Sequence, residues 1–391
     1  MALWTDGQIK GIIDTDVLKT EAAFSGPEKA GAKQDFQEEN KMQKQEATGF
    51  GVTSDGKEAH LYTLENKNGM KAGVSDYGAV LVELFVPDKE GKMRDVVLGY
   101  GDAAGYEKGD AAIGAVVGRS ANRIGGAGFD LNGVHYDLAK NDNGKNSLHS
   151  GPDYYHKRFW EVEEYDAGHI SLLLHSPDGD QGYPGALDMH VTYTLDDDNT
   201  LTIHYEAVPD QDTVINMTNH SYFNLNGHDS GSVLDHKVTL NADYFTPADA
   251  ESIPTGEIRS VEGTPMDFRA GRVLGDDIDA DYEPLRFGSG YDHNWVLKNE
   301  GRFDKVAEAV SEKSGIVMEV YTDLPGVQIY TANFLDNEPG KEGASYMRRG
   351  AVCFETQYYP DSVHHENFPQ PVCRKGEKYD TRTAYRFLTR E

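Results

Sequence analysis

Met189-His190-Val191-Thr192-Tyr193-Thr194-Leu195 alternates apolar and polar side chains at every step. Neighbouring side chains of a strand point to opposite faces, so this stretch sets Met189, Val191, Tyr193 and Leu195 against a core. Leu201 to Val208, Ile170 to Leu174, Val233 to Leu240, Ile316 to Tyr321 and Val327 to Asn333 are further strand candidates, most of them alternating. Lys71 to Val86 is β-rich on both sides of Gly78, and Asn132-Gly133 between Phe129-Asp130-Leu131 and Val134-His135-Tyr136 is a two-residue hairpin signal. The chain carries 42 Gly and 15 Pro, as short strands joined by many turns require. Helical periodicity beyond ten residues is scarce after the first 47. The expected fold is therefore all-β: a large antiparallel β-sandwich with few short helices, in a single domain over residues 48–391.

The 391 residues are 38% hydrophobic, with 22 Tyr, 15 Phe and 3 Trp, enough for a sizeable core. A net charge of −29 argues against nucleic acid and anionic membrane as partners, because both would be repelled. It disfavours phosphorylated substrates as well, and suits a neutral, hydroxyl-rich small molecule. Two cysteines, Cys353 and Cys373, make no disulfide framework and read as separate thiols in a reducing compartment. No apolar run approaches the length of a membrane span. The start lacks a basic segment followed by an apolar one, so a cytoplasmic location is expected. Residues 1–47 are rich in Lys, Glu, Gln and Ala. They read as an N-terminal extension, partly helical or disordered, with a short helix opening at Thr20 to Phe24 and a strand-like anchor at Ile9 to Ile13.

Chemistry gathers in a few places. Val352-Cys353-Phe354-Glu355-Thr356-Gln357-Tyr358-Tyr359-Pro360-Asp361 sets a carboxylate inside an apolar β run that stops at a turn. Such a group is rarely buried unless paired, so Glu355 is either a salt-bridge partner or a base at a sheet's mouth. His220 follows a strand-like run, with Asn219 before it and aromatics after it. It is a structural histidine or a general acid, whose pKa a nearby carboxylate would raise. Asn122 and Arg123, in a Gly-flanked loop, present an amide and a planar fork suited to sugar oxygens; a turn with a surface salt bridge is the plainer account. His149 precedes a turn. Asp292 and His293 are adjacent, so in a strand only one can face a given pocket. Trp295 offers a sugar-stacking face or fills a core. His364-His365 stands alone and no zinc spacing occurs, so no metal is expected.

Taken together, these motifs resemble the aldose 1-epimerases, the galactose mutarotases. The resemblance runs from about Lys71 to Phe387 in consistent order: Gly99-Tyr100, Gly118-Arg119-Ser120-Ala121-Asn122-Arg123-Ile124, Leu148-His149-Ser150-Gly151 and Asn219-His220-Ser221-Tyr222-Phe223-Asn224-Leu225. It continues through Thr264-Pro265-Met266-Asp267-Phe268-Arg269, Asp292-His293-Asn294, Pro325-Gly326-Val327-Gln328-Ile329-Tyr330 and Glu355-Thr356-Gln357. It implies the galactose mutarotase-like supersandwich, no cofactor, and an aldohexose such as D-galactose or D-glucose as the small-molecule partner of a monomer or homodimer. By resemblance, Glu355 is the general base at the anomeric hydroxyl and His220 the general acid at the ring oxygen. Asn122, Arg123, His149, Asp292 and Gln328 match sugar-binding positions, with Tyr222 beside them. Ring opening, rotation about C1–C2 and reclosure would then exchange the α and β anomers.

One departure lies beside the site: Ser150 follows His149 where the family usually has glycine. Two other functions compete. A glycoside hydrolase would use Glu355 and Asp292 as paired carboxylates about 5–5.5 Å or 6.5–9.5 Å apart. A non-catalytic sugar-binding protein would need neither the acid nor the base.

Overall fold

A computed structural model describes residues 46–390. The extension expected over residues 1–47, with its helix and its anchor, falls almost wholly outside the described residues.

Three antiparallel sheets carry most of the strands. A five-stranded sheet runs in chain order through Thr48–Val52, Glu58–Glu65, Lys71–Ser75, Leu81–Pro87 and Met93–Asp95. A nine-stranded sheet is ordered Glu161–Tyr165, His169–Ser176, Leu187–Leu195, Thr200–Ala207, Tyr379–Thr389, Ile316–Thr322, Asp304–Val310, Lys237–Leu240 and Arg272–Val273. A six-stranded sheet is ordered Tyr222–Phe223, Val352–Gln357, Gly326–Tyr330, Asp292–Val296, Tyr244–Thr246 and Arg259–Ser260. Helices among the described residues are short, at Ala103–Lys108, Leu274–Asp277 and Glu283–Gly288. The mostly-β, antiparallel expectation holds.

The alternation that decided the fold does what it should. Met189, Val191, Tyr193 and Leu195 are buried, and His190, Thr192 and Thr194 between them are not. At Asn132-Gly133 both residues take positive φ, 53° and 78°, the geometry a tight hairpin needs. One strand is shorter than expected: Val233 to His236 closes a turn, and pairing begins at Lys237. The backbone of that stretch is engaged elsewhere: the Val233 N–H donates to the Arg349 carbonyl, and the Leu234 and His236 carbonyls accept from the Gly275 and Leu274 N–H groups, each at 2.9 Å.

The nine- and six-stranded sheets pack face to face. Phe223 and Tyr385 meet with ring centroids 4.8 Å apart, and the Tyr385 hydroxyl donates to the Phe354 carbonyl at 3.1 Å. The strand Val352–Gln357 is buried on both faces. Phe354 turns inward to that core, and Thr356 meets Thr383 of the facing sheet. Cys353, Glu355 and Gln357 therefore point the other way, by the two-residue period of a strand. That outer face is the floor of the site.

Candidate active site

Strand register builds the floor from two cross-strand rows. Asp292 stands opposite Tyr330, Tyr330 opposite Cys353, and Cys353 opposite Tyr222. In the second row Asn294 stands opposite Gln328, and Gln328 opposite Glu355. Over this floor opens a cavity of about 430 Å³, lined by Asn122, Arg123, His149, His220, Tyr222, Asp292 and Glu355. Seven of the eight residues singled out in the sequence thus share one cavity wall. Gln328 sits one step behind, where its Nε2 donates to Asp292 Oδ1 at 2.7 Å.

His220 ends the short strand Thr218–His220, paired with Ala115–Val117. Its ring stacks on Tyr222, centroids 5.0 Å apart, and meets the edge of Tyr330 at 6.0 Å. Nδ1 faces the Cys353 sulfur at 3.6 Å, and Nε2 lies 3.5 Å from Glu355 Oε1. Both side chains are almost wholly buried. Burial disfavours charge on each, so the Glu355 carboxyl is pushed well above the ordinary carboxylate value, with the Asp292 charge adding to the rise and Arg123 opposing it. Burial pushes His220 the other way, down to about 4. The rise expected for His220 from a neighbouring carboxylate is therefore not what the site does. Desolvation outweighs the attraction, because Glu355 is itself held toward its neutral form.

The loop that presents Asn122 and Arg123 is stitched to the segment before His220. Ala121 N–H donates to the Asn216 carbonyl at 2.7 Å, and Asn216 N–H donates to the Arg119 carbonyl at 2.9 Å. Arg123 Nε donates to Asp142 at 3.1 Å, so the salt bridge and the place in the cavity are both real. The Asn122 N–H donates to His149 Nδ1 at 3.1 Å. A nitrogen that accepts carries no hydrogen, so His149 bears its hydrogen on Nε2 and offers a donor to the cavity. Desolvation, then His220 and Arg123, hold His149 well below its ordinary pKa, so it stays neutral. Asp292 is raised by burial, against which Arg123 and Gln328 pull it down.

Two sequence readings resolve toward the core. Trp295 is fully buried and donates to the Met266 carbonyl at 3.0 Å, so it is packing and no platform for sugar. His293 points away from Asp292 into the same layer. Both cysteines are free.

Some residues of the site were not singled out. Gln357 is fully buried, accepts from Asn122 Nδ2 at 3.4 Å and donates to Gln328 Oε1 at 3.2 Å. Its place two residues after Glu355 was the available signal. Tyr330 lay inside a quoted motif, two residues after Gln328. Lys108, Asp110, Phe334 and Glu338 form the outer wall, and no local pattern marks them.

His149, His220 and Glu355 also bring three atoms capable of holding a metal within 4.8 Å of one another. A metal on His149 Nε2 would demand the other tautomer and give up the bond from the Asn122 N–H. The wall is better suited to donating hydrogen bonds to oxygen.

Residues 60–386 match the family model described as aldose 1-epimerase. The chain is 43% identical over 319 residues to a galactose mutarotase of Bos taurus, covering 81% of this chain and 91% of that protein. It is 37% identical over 340 residues to an aldose 1-epimerase of Escherichia coli (strain K12), covering 86% and 97%. Among solved structures, an aldose epimerase homologue from C. elegans superposes with a TM-score of 0.79 at 32% identity, covering 85% of this chain and all of that one. A galactose 1-epimerase from Lactobacillus acidophilus gives 0.77 at 27% identity, covering 88% and 99%.

Proposed function

Because this chain belongs to the aldose 1-epimerase family, we propose that Glu355 and His220 carry its anomer exchange as a base and an acid acting on one hemiacetal. The observation that supports the assignment is their separation of 3.5 Å. The anomeric hydroxyl oxygen O1 and the ring oxygen O5 are bonded to the same carbon. A base for the first and an acid for the second must therefore converge on one small volume.

Glu355 as carboxylate takes the proton of the O1 hydroxyl while His220 gives one to O5. The C1–O5 bond breaks as C1=O1 forms, leaving the open aldehyde. Rotation about C1–C2 turns the other carbonyl face to O5. The steps then reverse: O5 returns its proton to His220 and attacks C1, and Glu355 protonates O1. No proton is gained or lost over the cycle. The pair, like any strongly interacting pair, titrates as a unit. A carboxylic acid beside a neutral imidazole holds the same single proton as a carboxylate beside an imidazolium. The reactive form is reached by moving that proton between the two groups.

Asn122, Arg123, His149 and Asp292 bind the sugar hydroxyls, Gln328 orients Asp292, and Tyr222 walls the site beside His220. D-galactose and D-glucose are the proposed substrates; the galactose mutarotases among the relatives support the first. The assembly proposed is a monomer or a homodimer. Two unpaired cysteines fit a reducing, cytoplasmic setting.

Polarimetry tests the reading. Added protein should speed the relaxation of optical rotation of freshly dissolved α-D-galactose. No acceleration at micromolar protein would refute it.

A further inference from the structure

Ser150 stands beside His149, yet its own side chain does not line the cavity. It is buried, with φ of +56°, a left-handed conformation that glycine adopts without strain and serine adopts at a cost. Something must hold a serine there, and its hydroxyl is fully engaged. Ser150 Oγ accepts the Ser120 N–H at 2.9 Å, donates to the Ser120 carbonyl at 2.9 Å, and lies 3.1 Å from the Tyr183 hydroxyl. One hydroxyl has one hydrogen to donate, so with that hydrogen on Ser120 the Tyr183 hydroxyl donates to Ser150.

These contacts tie together the two loops that present the sugar-binding residues. One loop carries Asn122 and Arg123, the other His149. Next to the Ser150 clasp, the His149 N–H donates to the Asn122 carbonyl at 3.1 Å, and the Asn122 N–H donates to His149 Nδ1 at the same distance. The strands Arg123–Ile124 and Ser147–Leu148 then continue the pairing. Without the Ser150 hydroxyl, both backbone groups of Ser120 lose their partner, and the two loops are joined through the Asn122–His149 bonds and the strand pairing beyond them. Glu355 and His220 stand on other strands and are not part of this clasp.

We propose that Ser150 is a positioning residue: its hydroxyl locks the Asn122–Arg123 loop to the His149 loop and so sets how tightly the site holds an aldose. The proposal rests on the sugar-binding roles given above. It predicts a loss shared by bound sugar and transition state, which raises KM and leaves kcat alone.

The test uses the full chain with Ser150→Ala, Ser150→Gly and Tyr183→Phe. KM and kcat are read by polarimetry with D-galactose, and Kd by calorimetric titration with the same sugar. A melting curve for each variant fixes a working temperature at which all are folded. Both Ser150 variants should raise KM and Kd about tenfold, with kcat within about twofold of wild type. Tyr183→Phe keeps both bonds to Ser120 and should change neither constant by more than about twofold. The glycine variant is decisive, because it removes the hydroxyl while relieving the backbone. If Ser150→Gly binds galactose as wild type does, the shape of the turn and not the hydroxyl sets affinity, and the proposal fails. It fails equally if kcat falls at unchanged KM. A wild-type protein that binds galactose without speeding mutarotation would refute the functional reading instead, and the Kd comparison would still judge Ser150.

Discussion

Glu355 Oε1 lies 3.5 Å from His220 Nε2, and the wall around them drives the two away from charge in opposite senses. Burial raises the carboxyl and lowers the imidazole. The stable and the reactive arrangements of the pair therefore differ only in where one proton sits.

That arrangement makes stability and rate depend on pH in different ways. The folded pKa of Glu355 is raised above its ordinary value of 4.5, so the folded state binds this proton more tightly than the unfolded chain does. The contribution to stability is present below about pH 4.5 and is lost as pH rises through the folded value. Glu355→Gln, a neutral isostere, should melt higher than wild type at pH 8, by about 2 °C or more. The gain should vanish at pH 4.5. Calorimetry across that range checks it, and a variant that melts lower at pH 8 would show that the native site holds a stabilised carboxylate. Wild-type kcat/KM should be bell-shaped, since the working pair holds one proton, with rate lost when it gains a second or gives up the first.

Asp292 is proposed to accept hydrogen bonds from sugar hydroxyls and is held in place by Gln328 Nε2 at 2.7 Å. Asp292→Asn keeps the shape and removes a charged acceptor. KM for D-galactose should rise about 10- to 100-fold, the range for a hydrogen bond to a charged group. Steady-state polarimetry reads it directly; an unchanged KM would remove Asp292 from the binding site.

Trp295 gives the contrasting case. Fully buried, with its N–H bonded to the Met266 carbonyl, it should matter for stability and not for sugar. Trp295→Phe should cost about 1–3 kcal/mol from an unpaired buried carbonyl and lost packing, with KM unchanged. Denaturant unfolding beside polarimetry checks both halves.

The way these residues divide explains what the sequence could reveal. Alternation at Met189 to Leu195 and the Asn132-Gly133 turn are local signals, and local sterics fix them. The two-residue period also separates Asp292 from His293 within one strand, and it would have paired Gln357 with Glu355 had it been carried one step further. What no local pattern contains is register between distant strands. The rows Asp292–Tyr330–Cys353–Tyr222 and Asn294–Gln328–Glu355 exist only once three strands from different parts of the chain lie side by side. The meeting of Glu355 with His220 was visible in advance through family resemblance alone. Phe334 and Glu338, on the outer wall, carried no signal of either kind. The direction of the His220 shift was misread for a related reason. A carboxylate nearby raises a histidine only while it is charged, and how far burial holds Glu355 toward its neutral form depends also on Asp292 and Arg123, which only the fold brings beside it.

The most direct test of a base and an acid working as one unit is a double-mutant cycle on kcat, measured by polarimetry with α-D-galactose. Glu355→Gln and His220→Asn should each lower kcat by about 10²- to 10⁴-fold. The double variant should be no slower than the slower single one, because either loss already stops the concerted transfer. Losses that multiply in the double variant, or a Glu355→Gln protein that turns over like wild type, would contradict the account.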